Sequence, residues 1–254
     1  MKNKYYSLVL VAFCSLLLIR CAKKNDVFVT APFTDYTNLA VGKFITYRLD
    51  SFKYVNFGQK DTTVKYQAKD VIDAAITDNL GRPGWRVIRY LNDSAALGPW
   101  VPNITYSITA TATSLEVNEN NFRFLKLKAP VKDDFSWKGN SYINTIAPPD
   151  PLVEPDYSYL DNWDYTYQNV NQPFTIFTTT ADSTVTVNQR DEILGIPDNV
   201  DSYSERNFSV EVYGKKIGLV YKDFLHWVFQ PRNSIYPNGY FEGYGITLRM
   251  IDHN

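Results

Sequence analysis

The sequence predicts an all-β protein: a large curved antiparallel sheet, of half-barrel or sandwich type, behind an N-terminal lipoprotein signal. Three observations carry that expectation. Apolar residues recur with period two along most of the chain, and Gly- and Asn-rich turns separate the periodic runs. Aromatics reach 15% of the 254 residues, with 19 Tyr and 15 Phe, which favours strands over helices. With 44% hydrophobic residues the chain is too apolar to be disordered.

The chain opens on Lys2 and Lys4, an almost unbroken apolar run over 5–19, and Cys21: the basic, apolar and processing regions of a lipoprotein signal. The apolar run is too short to span a bilayer. Leu18 stands three residues before the cysteine, as such signals require, while Arg20 occupies the next-to-cleavage position where a small residue is usual. Residues 1–20 are therefore expected to leave and Cys21 to be acylated, so that the first partner is a membrane reached through a lipid anchor. The expected location is the outer membrane, on its periplasmic or its surface face. Cys14 leaves with the signal, so the mature chain keeps Cys21 alone and forms no internal disulfide. Losing Lys2, Lys4 and Arg20 takes the formal charge from −1 to about −4, which leaves no electrostatic footprint for nucleic acid.

Residues 21–38 are polar and aperiodic and read as a flexible tether, with 39–254 as a single antiparallel β domain. Strands are expected at 44–54, 64–76, 85–91, 104–113, 115–117, 122–128, 163–167, 174–179, 184–189, 208–213, 219–229 and 244–251. Val64, Tyr66, Ala68, Ile72, Ala74 and Ile76 share one parity, while Lys65, Gln67, Lys69 and Asp73 take the other. Asp70 interrupts the apolar set, and a bulge that turns it outward is the expected remedy; pointing inward, it would need a partner. Ile104 to Ala112 alternate with threonines until Leu115 and Val117 change parity, which predicts a bulge near Ser114. A hairpin centred near Gly81 places Asp73 opposite Arg89 and Thr77 opposite Trp85. The segment APPDPLVEPD at 147–156 holds four prolines that cannot donate to a ladder, and is expected to cross between two halves of the fold.

Two segments, VGKFITYRLDS at 41–51 and IGLVYKDFLHWVFQP at 217–231, resemble the opening and closing strands of uncharacterised envelope lipoproteins of the Bacteroidota. The resemblance rests on strand residues, Phe44, Ile45, Tyr47 and Leu49 in the first segment and Leu219, Val220, Tyr221 and Phe224 in the second. It implies a large curved antiparallel sheet on an envelope lipoprotein and carries over no catalytic residue. Surface-exported lipoproteins of that phylum tend to have acidic residues directly after the cysteine, whereas this chain has Ala22, Lys23, Lys24 and Asn25.

The sequence offers no catalytic residue and no metal site or cofactor motif. It has two histidines, no HExxH, no GxSxG elbow, no phosphate loop and no dinucleotide glycine pattern. His226, between Leu225 and Trp227, reads as a partly buried structural imidazole, and His253 as an exposed terminal residue. Asp150, Glu154, Asp156, Asp161 and Asp164 crowd the proline-rich loop without EF-hand spacing and read first as a solvated acidic loop, with Ca²⁺ binding or a glycosidase pair as the sharper readings. Next to them Tyr157, Tyr159, Trp163, Tyr165 and Tyr167 alternate at strand spacing and are the candidate ligand-binding residues, either as a stacking platform for sugars or as core packing. A half-barrel could equally hold an apolar ligand on its concave face. Asp61-Thr62-Thr63, Asp93-Ser94-Ala95 and Asp182-Ser183-Thr184 resemble a short O-glycosylation signal of the same phylum, with Thr62, Ser94 and Ser183 as acceptors in exposed turns or strand ends. The favoured function is a non-catalytic envelope lipoprotein that binds a glycan, an apolar molecule or a partner, or serves a structural role. The alternative is a carboxylate-dependent glycan hydrolase.

Overall fold

The computed structural model describes residues 30–147, 156–197 and 199–254. The expected signal at 1–20, Cys21, the first part of the tether, Asp150 and Glu154 lie outside the described residues. Twelve strands run in chain order: β1 (Phe44–Val55), β2 (Lys60–Thr77), β3 (Pro83–Asp93), β4 (Val101–Ala110), β5 (Ser114–Glu119), β6 (Phe122–Lys128), β7 (Ser136–Lys138), β8 (Asp164–Ile176), β9 (Thr179–Gly195), β10 (Ser204–Gly214), β11 (Gly218–Gln230) and β12 (Tyr240–His253). They form one antiparallel sheet in the order β6-β5-β4-β3-β2-β1-β12-β11-β10-β9-β8-β7.

Chain length alone forces this sheet to curl. Twelve strands spaced about 4.8 Å apart would separate the edges of a flat sheet by about 50 Å. The two edge strands, β6 and β7, are joined by only the seven residues 129–135, which reach at most about 25 Å. The edges therefore meet. Leu125 N donates to Gly139 O at 2.8 Å, Trp137 Nε1 donates to Leu125 O at 2.7 Å, and the sheet is a nearly closed barrel. Its interior takes Tyr47, Ala68, Val87, Val212, Val220 and Leu248, all at most 2% exposed. The outer face carries Arg48, Asp50, Lys65, Gln67 and Lys69, which belong in water.

The all-β class and most strands match the sequence reading, and the differences have local causes. The parity change before Leu115 is a turn, followed at once by a register shift against β6 between Leu115 and Glu116: Thr111 Oγ1 accepts from Ser114 N at 2.9 Å, and Thr111 N donates to Ser114 O at 2.8 Å. That side-chain bond offers the backbone an alternative to the ladder and divides β4 from β5. The two short strands expected at 163–167 and 174–179 are one strand, β8. Asn169 and Asn171 take left-handed φ of 55° and 61°, so the irregularity is absorbed while β8 stays paired with β9 on both sides of it. Strand β7, three residues long, is too short to show a period. The proline-rich segment does not cross between halves either, since its flanks lead from β7 to its neighbour β8; the crossing is made by 129–135.

Residues 30–38, the last part of the expected tether, are packed rather than free. Phe33–Tyr36 form a 3-10 turn in which Phe33 is 2% and Tyr36 0% exposed. Lys216 N donates to Asp35 O at 2.7 Å and Tyr36 Oη to Asn171 Oδ1 at 2.9 Å, so this turn stops the end of the barrel where β10 passes into β11. Two buried aromatics in an otherwise polar stretch are enough to dock it.

The β2–β3 register also differs from expectation. Thr77 faces Pro83, which centres the turn on Leu80, and a bulge at Asp73 shifts the pairing by one more residue. Asp70, not Asp73, faces Arg89, and Asp73 instead holds Arg86 at 2.5 Å on the outside. Asp70 thus keeps the inward parity of β2 and is 6% exposed.

Candidate functional site

The barrel interior is layered along its axis. At the end stopped by Phe33 and Tyr36 lies a cavity of about 110 Å³ whose mainly apolar walls carry a few polar and charged groups. Arg89 holds Asp70 through two bonds of 2.6 Å, and Tyr106 Oη donates to Asp70 Oδ2 at 2.9 Å. Burial works against the charge on Arg89, but Asp70 outweighs it and raises the guanidinium above its ordinary range.

The next layer is ionic. Lys126 of β6 donates to Glu211 Oε1 at 2.7 Å, Tyr213 Oη donates to Glu211 Oε2 at 2.7 Å, and Lys222 Nζ lies 3.7 Å from Glu211 Oε1. Glu211 is 1% exposed. Burial alone would raise its carboxyl; Lys126, Lys222 and the Tyr213 hydroxyl reverse that and hold it at about 2. Burial lowers Lys126 from the ordinary lysine range despite Glu211.

Above this layer opens an aromatic chamber of about 380 Å³. Alternation along β6 turns Phe122, Phe124 and Lys126 to one side, and β11 and β12 contribute Phe224, Tyr244 and Ile246. The fourth wall comes from the connection into β8, where Ser158–Leu160 form a 3-10 turn. Asp156 Oδ1 caps it through Ser158 N at 2.8 Å, and Asn140 Nδ2 donates to Leu160 O at 2.9 Å. Trp163 Nε1 donates to Tyr159 O at 2.7 Å and Tyr165 Oη to Asn140 Oδ1 at 2.8 Å. This wall is fixed by hydrogen bonds at both its ends. Phe122 meets Tyr157 edge to face at 4.6 Å, and Trp163 stacks beside Phe224 at 6.3 Å. Gln189 also lines the chamber; its Oε1 accepts from Ser209 Oγ at 2.6 Å, while its buried Nε2 has no partner among the described residues.

Tyr159 separates the chamber from a wide polar mouth of about 760 Å³. It stacks on His226 at 3.8 Å and 13°, and His226 Nδ1 shares a 2.7 Å hydrogen bond with Asn207 Oδ1. Burial lowers the imidazole below its ordinary 6.5, against the pull of Glu205 and Asp156, so the ring is neutral at pH 7. Two carboxylates of the mouth are tied down, while a third, Glu242, makes no side-chain hydrogen bond or ion pair among the described residues. Glu205 accepts from Tyr203 Oη at 2.7 Å and Asn207 Nδ2 at 2.6 Å, and Glu192 pairs with Arg190 at 2.5 Å.

Of the five aromatics singled out in the sequence, Tyr157, Tyr159, Trp163 and Tyr165 line the chamber. Tyr167 does not: it is 0% exposed, packs on Trp137, and bonds both the N and the O of Lys128 through its hydroxyl. The sequence reading missed Phe122, Phe124, Lys126, Glu211, Lys222 and Gln189. The inward parity of Lys126 on an otherwise apolar strand face was the available signal. Asp156, Asp161 and Asp164 are dispersed over separate bonds, to Ser158, Thr145 and Lys138, and among the described residues no three His, Cys, Asp or Glu gather where they could hold a metal. The glycosylation candidates also separate. Ser94 sits exposed in the β3–β4 turn, whereas Thr62, paired with Lys53, and Ser183 are half-buried strand residues, because β2 and β9 extend further than their periodic cores show.

The fold and its interior define an all-β barrel with an aromatic chamber above a buried ionic layer. No protein-family model matches the chain, and no curated protein does. Among solved structures, a Bacteroides fragilis NCTC 9343 protein described as exported and of YmcC-like fold aligns with 84% of this chain and 97% of its own, at 10% identity and a TM-score of 0.29. Superposition at that level carries no argument about what the barrel does. Among the described residues no helix is long and apolar enough to cross a membrane.

Proposed function

We propose that this chain is a non-catalytic envelope lipoprotein, anchored to the outer membrane by acyl groups on Cys21, that holds a glycan or an apolar molecule in the aromatic chamber. The chamber carries the reading: about 380 Å³ falls within the size range of small-molecule sites, and its walls join aromatic faces to a few polar groups. Glu205 and Glu192 of the mouth are both engaged, which leaves Glu242 without a free carboxylate partner there and favours binding over hydrolysis, since a glycosidase needs one carboxyl to give a proton and another to attack or to activate water.

Native mass spectrometry of the protein taken from its own membranes tests the binding. A co-purifying mass that is lost on widening the chamber with Phe224→Ala supports the reading. An empty barrel, or turnover of glycans that disappears in Glu205→Gln, overturns it. The anchor has its own test: fatty-acid labelling is expected for the wild type and absent in Cys21→Ser, and labelling of the variant would remove the anchor from the proposal.

A further inference from the structure

The ionic layer beneath the chamber leaves one ammonium group without a hydrogen bond, and that group points to a ligand chemistry. Two ammonium groups, Lys126 and Lys222, share the carboxylate Glu211. Lys126 takes the hydrogen bond at 2.7 Å, and Tyr213 occupies the other oxygen. Lys222 is left at 3.7 Å, beyond hydrogen-bond distance, with no hydrogen bond among the described residues. Its side chain is 19% exposed and lines both the chamber and the cavity below. Glu119, the other carboxylate of that wall, forms no ion pair within 4 Å among the described residues. A second donor, Gln189 Nε2, is unpartnered in the wall of the same chamber. Gln189 is 2% exposed, and a buried donor without an acceptor is rare and costly, whereas Lys222 keeps partial contact with water.

Resting on the reading of the chamber as a ligand site, we propose that its occupant is an anionic amphiphile. Its apolar or aromatic body lies against Phe122, Trp163 and Phe224, and its carboxylate, sulfonate or phosphate head points inward to Lys222. The aromatic walls supply surface for the body. Lys222 supplies a charge-assisted bond for the head, in surroundings where burial strengthens such a bond. No covalent step is involved.

Two fluorescent probes with one body separate the head from the rest: 8-anilinonaphthalene-1-sulfonate and its uncharged parent N-phenyl-1-naphthylamine. Titrated against the mature wild-type protein, the sulfonate is expected to bind about tenfold more tightly or better, one hydrogen-bonded charge being worth that much or more. Lys222→Met should abolish the preference, and Lys222→Arg should keep it. Phe224→Trp, which fills the chamber, should weaken both probes. Equal or tighter binding of the uncharged probe by wild type overturns the anionic head, whatever the variants do, and so does a preference that survives Lys222→Met. Binding of neither probe, or binding untouched by Phe224→Trp, overturns the chamber as a ligand site and with it the reading on which this inference rests.

Discussion

Glu211→Ala is expected to destabilise the protein by about 3–5 kcal/mol, the loss that follows when one partner of a buried ion pair is removed. The reason is what stays behind. Lys126, buried with 7% side-chain exposure, loses its only hydrogen-bonding carboxylate, and Lys222 loses its nearest counter-charge. Tyr213 also loses the acceptor for its buried hydroxyl. Against a domain stability of about 5–15 kcal/mol, that is a large fraction. Chemical denaturation measures the loss, and replacing both partners, Lys126→Met with Glu211→Met, should recover much of it, because apolar groups of similar volume leave no uncompensated charge. A loss below about 1 kcal/mol in the single variant would mean that water reaches the ionic layer.

The same carboxylate gives the barrel an acid-sensitive element. Its folded-state value, about 2, lies below the ordinary 4.5. A group depressed on folding contributes stability that is fully present above about pH 4.5 and is lost as the pH falls towards 2. The wild type should therefore lose stability across that window more steeply than Glu211→Ala. Parallel slopes for the two proteins would show that Glu211 is not held by its ammonium partners.

Asp70→Ala should cost a similar amount, about 3–5 kcal/mol, while Asp73→Ala produces little measurable change. The two residues are three apart on β2, yet their surroundings differ. Asp70 and Arg89 are 6% and 8% exposed, and the pair carries two 2.6 Å bonds and the Tyr106 hydroxyl. Removing the carboxylate leaves a guanidinium in the interior that cannot shed its charge. Asp73 holds Arg86 at the water-facing surface, where the pair is screened and long side chains must be ordered to make it. Denaturant midpoints of the two variants check the ranking, and an equal or larger loss at Asp73 would refute the register that places Asp70 against Arg89.

Much of the fold was legible because strand formation is written locally. A period of two in β2 and β4, with Asn and Gly between the runs, announces antiparallel strands without any knowledge of their neighbours. The same local signal brought out Tyr157, Tyr159, Trp163 and Tyr165, which share one wall of the chamber. Where reading failed, the missing information was non-local or too short. Strand β7 is three residues long, the turn at 111–114 depends on one threonine side chain, and the register of β2 against β3 depends on a bulge at Asp73 that alternation does not reveal.

The sequence by itself determined the strand-rich class, most of the turn positions and the lack of familiar catalytic motifs. Each of these follows from composition and near-neighbour spacing. Tertiary structure alone decided that the sheet closes, because closure depends on two edge strands joined by seven residues. Closure brings Lys126 to Glu211, 85 residues away in the chain, while the pairing of β3 with both β2 and β4 brings Asp70 to Tyr106, 36 away. A buried charge looks in sequence like any surface charge; what it is worth depends on the partner that only the folded barrel places against it.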